Sequence, residues 1–219
     1  VRITAAPLAP PPVNLPVVTS TFDSGAEGWS FIADVREFRH VATGGNPGGY
    51  LEAVDFAAGD TWYFVAPDRF LGNKSAFYGG TLTYDLRQSA LTGQFNAPDV
   101  VLLGAGLRLV LDQPHPGIDW TSYAITLGTA SDWRVETESG AVATEAQLRQ
   151  VLGNLTALQI RGEFITGGDT GGLDNVRMVA PTIVTLVQAS APGTPLRFET
   201  LEAAIAQAQA GSLITVAWP

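Results

Sequence analysis

Residues Trp62 to Leu86 read WYFVAPDRFLGNKSAFYGGTLTYDL, and the last six decide the fold class. Thr81-Leu82-Thr83-Tyr84-Asp85-Leu86 alternates polar with apolar side chains, the period of a strand with one face in a core and the other in water. At the front of the stretch Trp62 and Phe64 share one face of a strand, and Tyr63 and Val65 share the other.

The pattern continues on the C-terminal side. Val100 to Leu103 and Leu107 to Leu111 are apolar runs split by Gly104-Ala105-Gly106, which reads as a hairpin. Trp120 to Leu127, Leu158 to Ile165 and Leu173 to Val179 are further strands. About seven to ten strands within roughly 160 residues, with turn signals at close spacing, predict an antiparallel sandwich. One helix interrupts it. Thr144 is an N-cap with Gln147 three residues on, and Leu148, Val151, Leu152 and Leu155 fall on one face at helical spacing. This helix is expected across an end of the sandwich.

Outside residues 21–179 the composition changes. Residues 1–20 hold five prolines and almost no charge, so they cannot form a helix and read as an extended arm or an edge strand. Residues 180–219 read as a small β-α-β appendage: a strand from Thr182 to Val187, a Pro/Gly loop from Ala191 to Pro195, a helix from about Glu199 to Ala210 stopped by Gly211, and a final apolar strand. About 40 residues bury too little surface to fold well alone, so the appendage is expected to dock on the sandwich or on another chain.

Composition narrows the function. Of 219 residues, 46% are apolar and 15% charged, with Gly 24 and Pro 14, as strands and turns require. Twelve basic against 21 acidic residues leave a net charge of −9, which repels a phosphate backbone and argues against nucleic acid. Cys 0 removes disulfides, thiolate metal sites and cysteine nucleophiles together. No apolar run reaches the roughly 18 residues that a membrane-spanning helix needs. The start at Val1 rather than Met fits either removal of a secretion signal or a trimmed chain, and the first is the expectation.

Catalytic constellations are missing from the pattern. His40 and His115 have no Ser or carboxylate at a triad-like spacing. Asp169-Thr170-Gly171 matches a motif that aspartic proteases need in two copies, and here one copy sits among glycines as a turn. Glu136 and Glu138 are read as an exposed polar face of a strand, and Gly44 to Gly49 as a strand connection. The chain is therefore expected not to be an enzyme. Aromatic residues are the better candidates, since an exposed flat ring stacks on a sugar. Trp62, Tyr63, Trp120 and Tyr123, all in or beside predicted strands, are the candidate ligand-binding residues.

The stretch Trp62 to Leu86 resembles the laminin B domain, also called laminin IV type A, in its aromatic pair, its Ala-Pro-x-x-Phe-Leu-Gly-Asn and its Tyr-Gly-Gly-x-Leu-x-Tyr. Other parts agree in order: Phe22-Asp23 with Gly28-Trp29, Pro98 to Leu102 followed by Gly106 to Leu109, the helix Leu148 to Leu155, and Leu173-Asp174-Asn175-Val176. The resemblance covers residues 21–179 and implies a non-catalytic jelly-roll β-sandwich, similar to extracellular carbohydrate-binding modules. Lacking the flanking cysteine-rich repeats of animal laminins, the chain looks like a secreted bacterial relative. Modules of this kind often hold a structural calcium between first and last strands, and the matching positions are Asp23 and Asp174, with Glu27 as a third oxygen donor. Leu196 to Val216 is similar, more faintly, to the opening of secreted right-handed β-helix proteins.

The resulting expectation is a secreted, extracellular or cell-surface structural and adhesion module that binds a polysaccharide or glycoprotein. The alternative is a subunit of a self-assembling filament or surface layer, whose partners are copies of itself joined through the terminal strands.

Overall fold

The structure, a computed structural model, describes residues 16–55, 59–188, 190–198 and 201–217; the arm over residues 1–15 lies outside them. The chain divides into two compact units, one of them Val17–Pro181.

The first unit is the predicted jelly-roll sandwich. Its strands are β1 (Val17–Ser20), β2 (Ser30–Ile32), β3 (Val35–Gly45), β4 (Gly48–Asp55), β5 (Tyr63–Val65), β6 (Thr81–Gln88), β7 (Val100–Gly104), β8 (Leu107–Leu111), β9 (Thr121–Thr126), β10 (Arg134–Val135), β11 (Leu155–Arg161) and β12 (Thr170–Val179). One sheet, here the front sheet, has the order β3-β4-β12-β6-β9, with β1 pairing the second half of β12; the back sheet has the order β10-β8-β7-β11-β5-β2. Every pairing is antiparallel. Residues 17–20, placed in the arm by composition, thus belong to the front sheet.

Alternation sorts the side chains as the pattern of β6 predicts. Leu82, Tyr84 and Leu86 face Leu51, Ala53, Phe64, Leu102, Leu109, Leu158 and Ile160 from the other strands in one continuous core. Trp62 lies at its centre, fully buried and edge-on to Phe64 at 5.0 Å between centroids. Backbone comes so close to this indole that a Cβ on Gly162 would overlap the ring, so only glycine fits there. The β7–β8 hairpin turns through Ala105 and Gly106 with φ of 48° and 76°, the two-residue turn whose twist matches its strands.

The predicted helix is α1 (Glu145–Gly153). Thr144 Oγ1 accepts from the Gln147 N–H at 3.3 Å and the Thr144 N–H donates to Gln147 Oε1 at 2.9 Å, closing a capping box. Leu148, Val151 and Leu152 are buried by it. Where β7 ends beneath the helix, a Cβ on Gly104 would stand 2.6 Å from the Val151 and Asn154 carbonyl oxygens.

The second unit holds β13 (Ile183–Gln188), β14 (Ala191–Phe198), α2 (Leu201–Gln207) and β15 (Leu213–Ala217), with sheet order β14-β13-β15. Leu186 and Ala204 form its buried centre, with Phe198, Ile214 and Val216 packed against them. Residues 191–195, expected as a Pro/Gly loop, are part of strand β14. As an edge strand, β14 can leave prolines without an N–H to share, which is the reason for the correction.

Candidate ligand face on the front sheet

The outer face of the front sheet is built from residues that alternate with the core. Cross-strand register sets Arg39 beside Glu52, Glu52 beside Gly172, and Gly172 beside Arg87. Gly172 has no side chain, and Arg87 and Trp120 occupy that space: a Cβ there would meet Arg87 Cγ at 3.0 Å and Trp120 Cη2 at 3.1 Å. The Arg87 guanidinium stacks on Tyr50 at 4.5 Å and on Trp120 at 4.9 Å, and the two rings meet edge-to-face at 5.3 Å. Tyr50 Oη donates to Glu52 Oε2 at 2.8 Å, and Glu52 is paired with Arg39. Burial is the main cause that pushes the Tyr50 phenol up, with the Glu52 carboxylate adding to it. Trp120 is half-buried and its Nε1 donates to the Gly44 carbonyl at 3.0 Å, so its ring is held while part of it faces solvent.

Gly44 lies near the end of β3, next to the β3–β4 turn. There the Asn46 N–H donates to Asp174 Oδ2 at 2.6 Å and the Asn175 N–H to Asp174 Oδ1 at 2.7 Å. The side-chain amides of Asn46 and Asn175 donate to Asp85 Oδ2 at 3.1 and 2.8 Å. Close approach dictates glycine again: a Cβ on Gly45 would lie 2.6 Å from Asp174 Oδ2, and one on Gly48 would overlap Asp23 Oδ1. Asp174 is fully buried. Burial foremost, and then the neighbouring Asp85 and Asp23, push its carboxyl up to about 6 against the pull of the two N–H donors.

Beside the turn an open groove of ≈ 420 Å³ runs between Val17, Thr19, Thr21, Thr83, Asn175 and Arg177. A bulge in β12 shapes it. Asn175 and Val176 stand opposite a single residue of β6, and Asn175 takes φ 51°.

The candidate residues divide. Trp62 is fully buried, and Tyr63 and Tyr123 are 8% exposed, so the expectation that these three offer rings to a sugar is corrected: each is packed into the protein. Tyr123 lies stacked on Tyr84 at 5.0 Å and its Oη donates to the Pro114 carbonyl. Trp120 alone among the four reaches the open face. Of the three calcium candidates, Asp23 and Asp174 flank the β3–β4 turn together, with Asp85 as a neighbour. Glu27 stands elsewhere, accepting from the Thr21 and Phe22 N–H groups and paired with Arg69 at 2.7 Å. After burial, Asp85 and Asp23 both push the Asp174 carboxyl up, while Asp174 and Asp85 already accept N–H bonds from Asn46 and Asn175. A second carboxylate group, Asp34, Asp55 and Glu163, comes within 4.8 Å, and burial first, then Asp55, Asp34 and Asp169, raises Glu163 to about 7.

Other motifs resolve as structure. His40 Nε2 stands 2.6 Å from the Phe22 carbonyl, and Asp169 accepts from Ser89 Oγ, the Phe164 N–H and the Thr170 N–H as the fastener of a turn. Glu136 and Glu138 follow β10 in a turn rather than a strand, Glu136 with φ 67°. Tyr50, Arg87, Asn175 and Arg177 carry no signal in the sequence, because no local spacing joins Tyr50, Arg87 and the Asn175–Arg177 segment onto one face.

Known proteins agree with this architecture. The family model described as Laminin B (Domain IV) matches residues 63–191. Laminin subunit gamma-1 of Danio rerio is 32% identical over 190 residues, covering 83% of this chain and 11% of that protein. The chain therefore spans about a tenth of this curated relative. Among solved structures, the L4b domain of human laminin alpha-2 is similar with a TM-score of 0.51 at 18% identity, over 59% of this chain and 79% of that one. The family 11 carbohydrate-binding module of Clostridium thermocellum, solved with a β-1,3-1,4-mixed-linked tetrasaccharide, is similar with a TM-score of 0.50 at 15% identity, over 77% of this chain and 98% of that one. These two likenesses speak for the fold alone. With the family pattern matched over more than half of the chain and a laminin relative 32% identical over 83% of it, the chain belongs to the Laminin B (Domain IV) family.

Proposed function

We propose that this chain is a non-catalytic, extracellular structural module that binds glycan through the outer face of its front sheet. The observation that carries the reading is Trp120, a half-exposed ring braced by Arg87, Tyr50 and the Gly44 carbonyl, with the hydroxyl-lined groove on the same sheet. A braced ring stacks on a sugar with little loss of side-chain freedom. Laminin relatives and the carbohydrate-binding fold support it. Trp120→Ala abolishes retention on immobilised polysaccharides while the near-ultraviolet circular dichroism of the core remains; absence of retention of the intact protein on a broad glycan array overturns the reading. Calcium belongs to the same proposal, with Asp23 and Asp174, the two expected donors that flank the β3–β4 turn, as its ligands. A melting temperature unmoved by chelation removes the metal from it.

Self-assembly is the second reading. It is favoured by β14 and β15, which are the edge strands of their sheet among the described residues, where Leu196 is 44% and Leu213 62% exposed. Mass photometry of the full chain and of Leu213→Lys decides it: a monomer mass for both at every concentration sinks assembly through this edge.

A further inference from the structure

Arg177 stands in the middle of the groove. Register places it between Thr19 of β1 and Thr83 of β6, so hydroxyl, guanidinium and hydroxyl lie side by side across three strands. Arg177 is exposed. Ion pairs occupy Arg39, Arg69, Arg87, Arg134, Arg149 and Arg161; Arg36, Arg108, Arg177 and Arg197 make none among the described residues, and of these four Arg177 lines the groove. In a chain with 21 acidic and 12 basic residues, a guanidinium left unpaired in a groove is poised for a ligand's charge.

The rest of the lining narrows that ligand. Both N–H bonds of the Asn175 amide are spent, one on the Asn46 carbonyl at 2.6 Å and one on Asp85 Oδ2 at 2.8 Å, so the amide offers its oxygen as an acceptor. Thr19, Thr21 and Thr83 each add a hydroxyl that donates and accepts. The groove asks for a molecule with one anionic group for the guanidinium and several hydroxyls for its neighbours. A space of ≈ 420 Å³ exceeds what a lone small anion fills. Asp85 and Asp174 lie beside the groove under the β3–β4 turn and disfavour a densely charged chain such as a highly sulfated one.

We propose that this groove binds a uronic acid residue of an acidic polysaccharide, with Arg177 gripping the sugar carboxylate through two parallel N–H···O bonds and the threonines and Asn175 holding its hydroxyls. The inference rests on the glycan reading above and names the sugar class for it. A single carboxylate per ring matches Arg177, the one cation lining the groove among the described residues, and a neutral glucan would leave that cation without a counter-charge.

Isothermal titration of the full chain with oligogalacturonate, against the β-1,3-1,4-mixed-linked glucose tetrasaccharide, tests it. At low salt the acidic probe is expected to bind about tenfold or more tightly than the neutral one, and to weaken steeply in 0.5 M salt as roughly 3–10 Å screening lengths require. Arg177→Gln is expected to remove at least about tenfold of acidic affinity and to change neutral binding by less than about twofold, while Arg177→Lys, without the planar fork, restores only part. Neutral probe binding as well as acidic, or acidic binding untouched by Arg177→Gln or by salt, overturns the inference and leaves the glycan reading standing. Binding of neither probe or of any other polysaccharide overturns both. Since Arg177 is exposed and unpaired, an unchanged melting temperature for the Gln variant is the accompanying check on folding.

Discussion

The outer faces of the two six-stranded sheets use an arginine in opposite ways. On the back sheet Tyr63, Val101 and Val110 are buried in a small apolar cluster of their own. Beside them Arg161, with no exposed surface, donates to the carbonyls of Ala97 at 3.0 Å, Phe95 at 2.6 Å and Glu163, faces Asp99 at 3.5 Å, and sits over Phe95 and Phe164 at 4.6 and 4.5 Å. One arginine straps the segment around residues 95–99 to the sheet and closes the face. On the front sheet Arg177 makes no ion pair among the described residues, and the groove beside it is open. The difference shows what an arginine's surroundings decide: fully satisfied by backbone carbonyls it is a structural clasp, and unsatisfied beside hydroxyls it is a binding group.

Removing the clasp gives the largest effect expected. Arg161→Ala leaves Asp99 buried without its cation and three carbonyls without donors, and should cost about 3–5 kcal/mol in urea unfolding, whereas Arg177→Gln stays within about 0.5 kcal/mol. Equal costs for the two would break the comparison. Next come the two glycines that seat tryptophans. Gly162→Ala drives a Cβ into the core indole of Trp62 and should cost about 1–3 kcal/mol. On the open face Gly172→Ala meets only the Arg87 and Trp120 side chains, which can swing outward. It should therefore cost about 1 kcal/mol or less while weakening glycan retention, because it displaces Trp120 without altering it.

Titration separates the faces further. Burial is the leading cause that raises Asp99 to about 7 under the back-sheet strap, Glu163 to about 7, and Asp174 to about 6 under the front-sheet turn. Ordinary carboxyls in the unfolded chain titrate near about 4, so the folded state holds these protons more tightly and acidification favours it. Stability should therefore rise as pH falls from about 8 towards 5. Asp99→Asn should flatten the part of that rise nearest neutrality; a melting temperature that falls steadily over the window contradicts the assignment. At the helix, away from both faces, Thr144→Ala, which opens the capping box, should cost about 1 kcal/mol and leave both faces as they are.

Much of the scaffold was legible because its signals are local. The two-residue alternation of Thr81 to Leu86, the Gly-rich hairpin after Val100 and the Thr144 to Gln147 box each need only neighbours a few positions away. Strand β14 escaped because Pro192 and Pro195 read as a loop, and only an edge position makes them tolerable in a sheet. Within the site, Asp23 and Asp174 were visible by family likeness, while Asp85, which shares their turn, looked like one more polar residue of a strand.

Trp62 and Trp120 mark the boundary most sharply. Both follow from the sequence as aromatic residues at strand ends, and so do the sandwich, the helix and the poverty of catalytic groups, since period, capping and composition are properties of short segments. Which indole would be sealed beneath Gly162 and which propped in the open on Arg87 and Tyr50 was left to the tertiary structure. Facing and cover depend on how strands far apart in the chain align, and a shift of one residue in that alignment exchanges inside for outside.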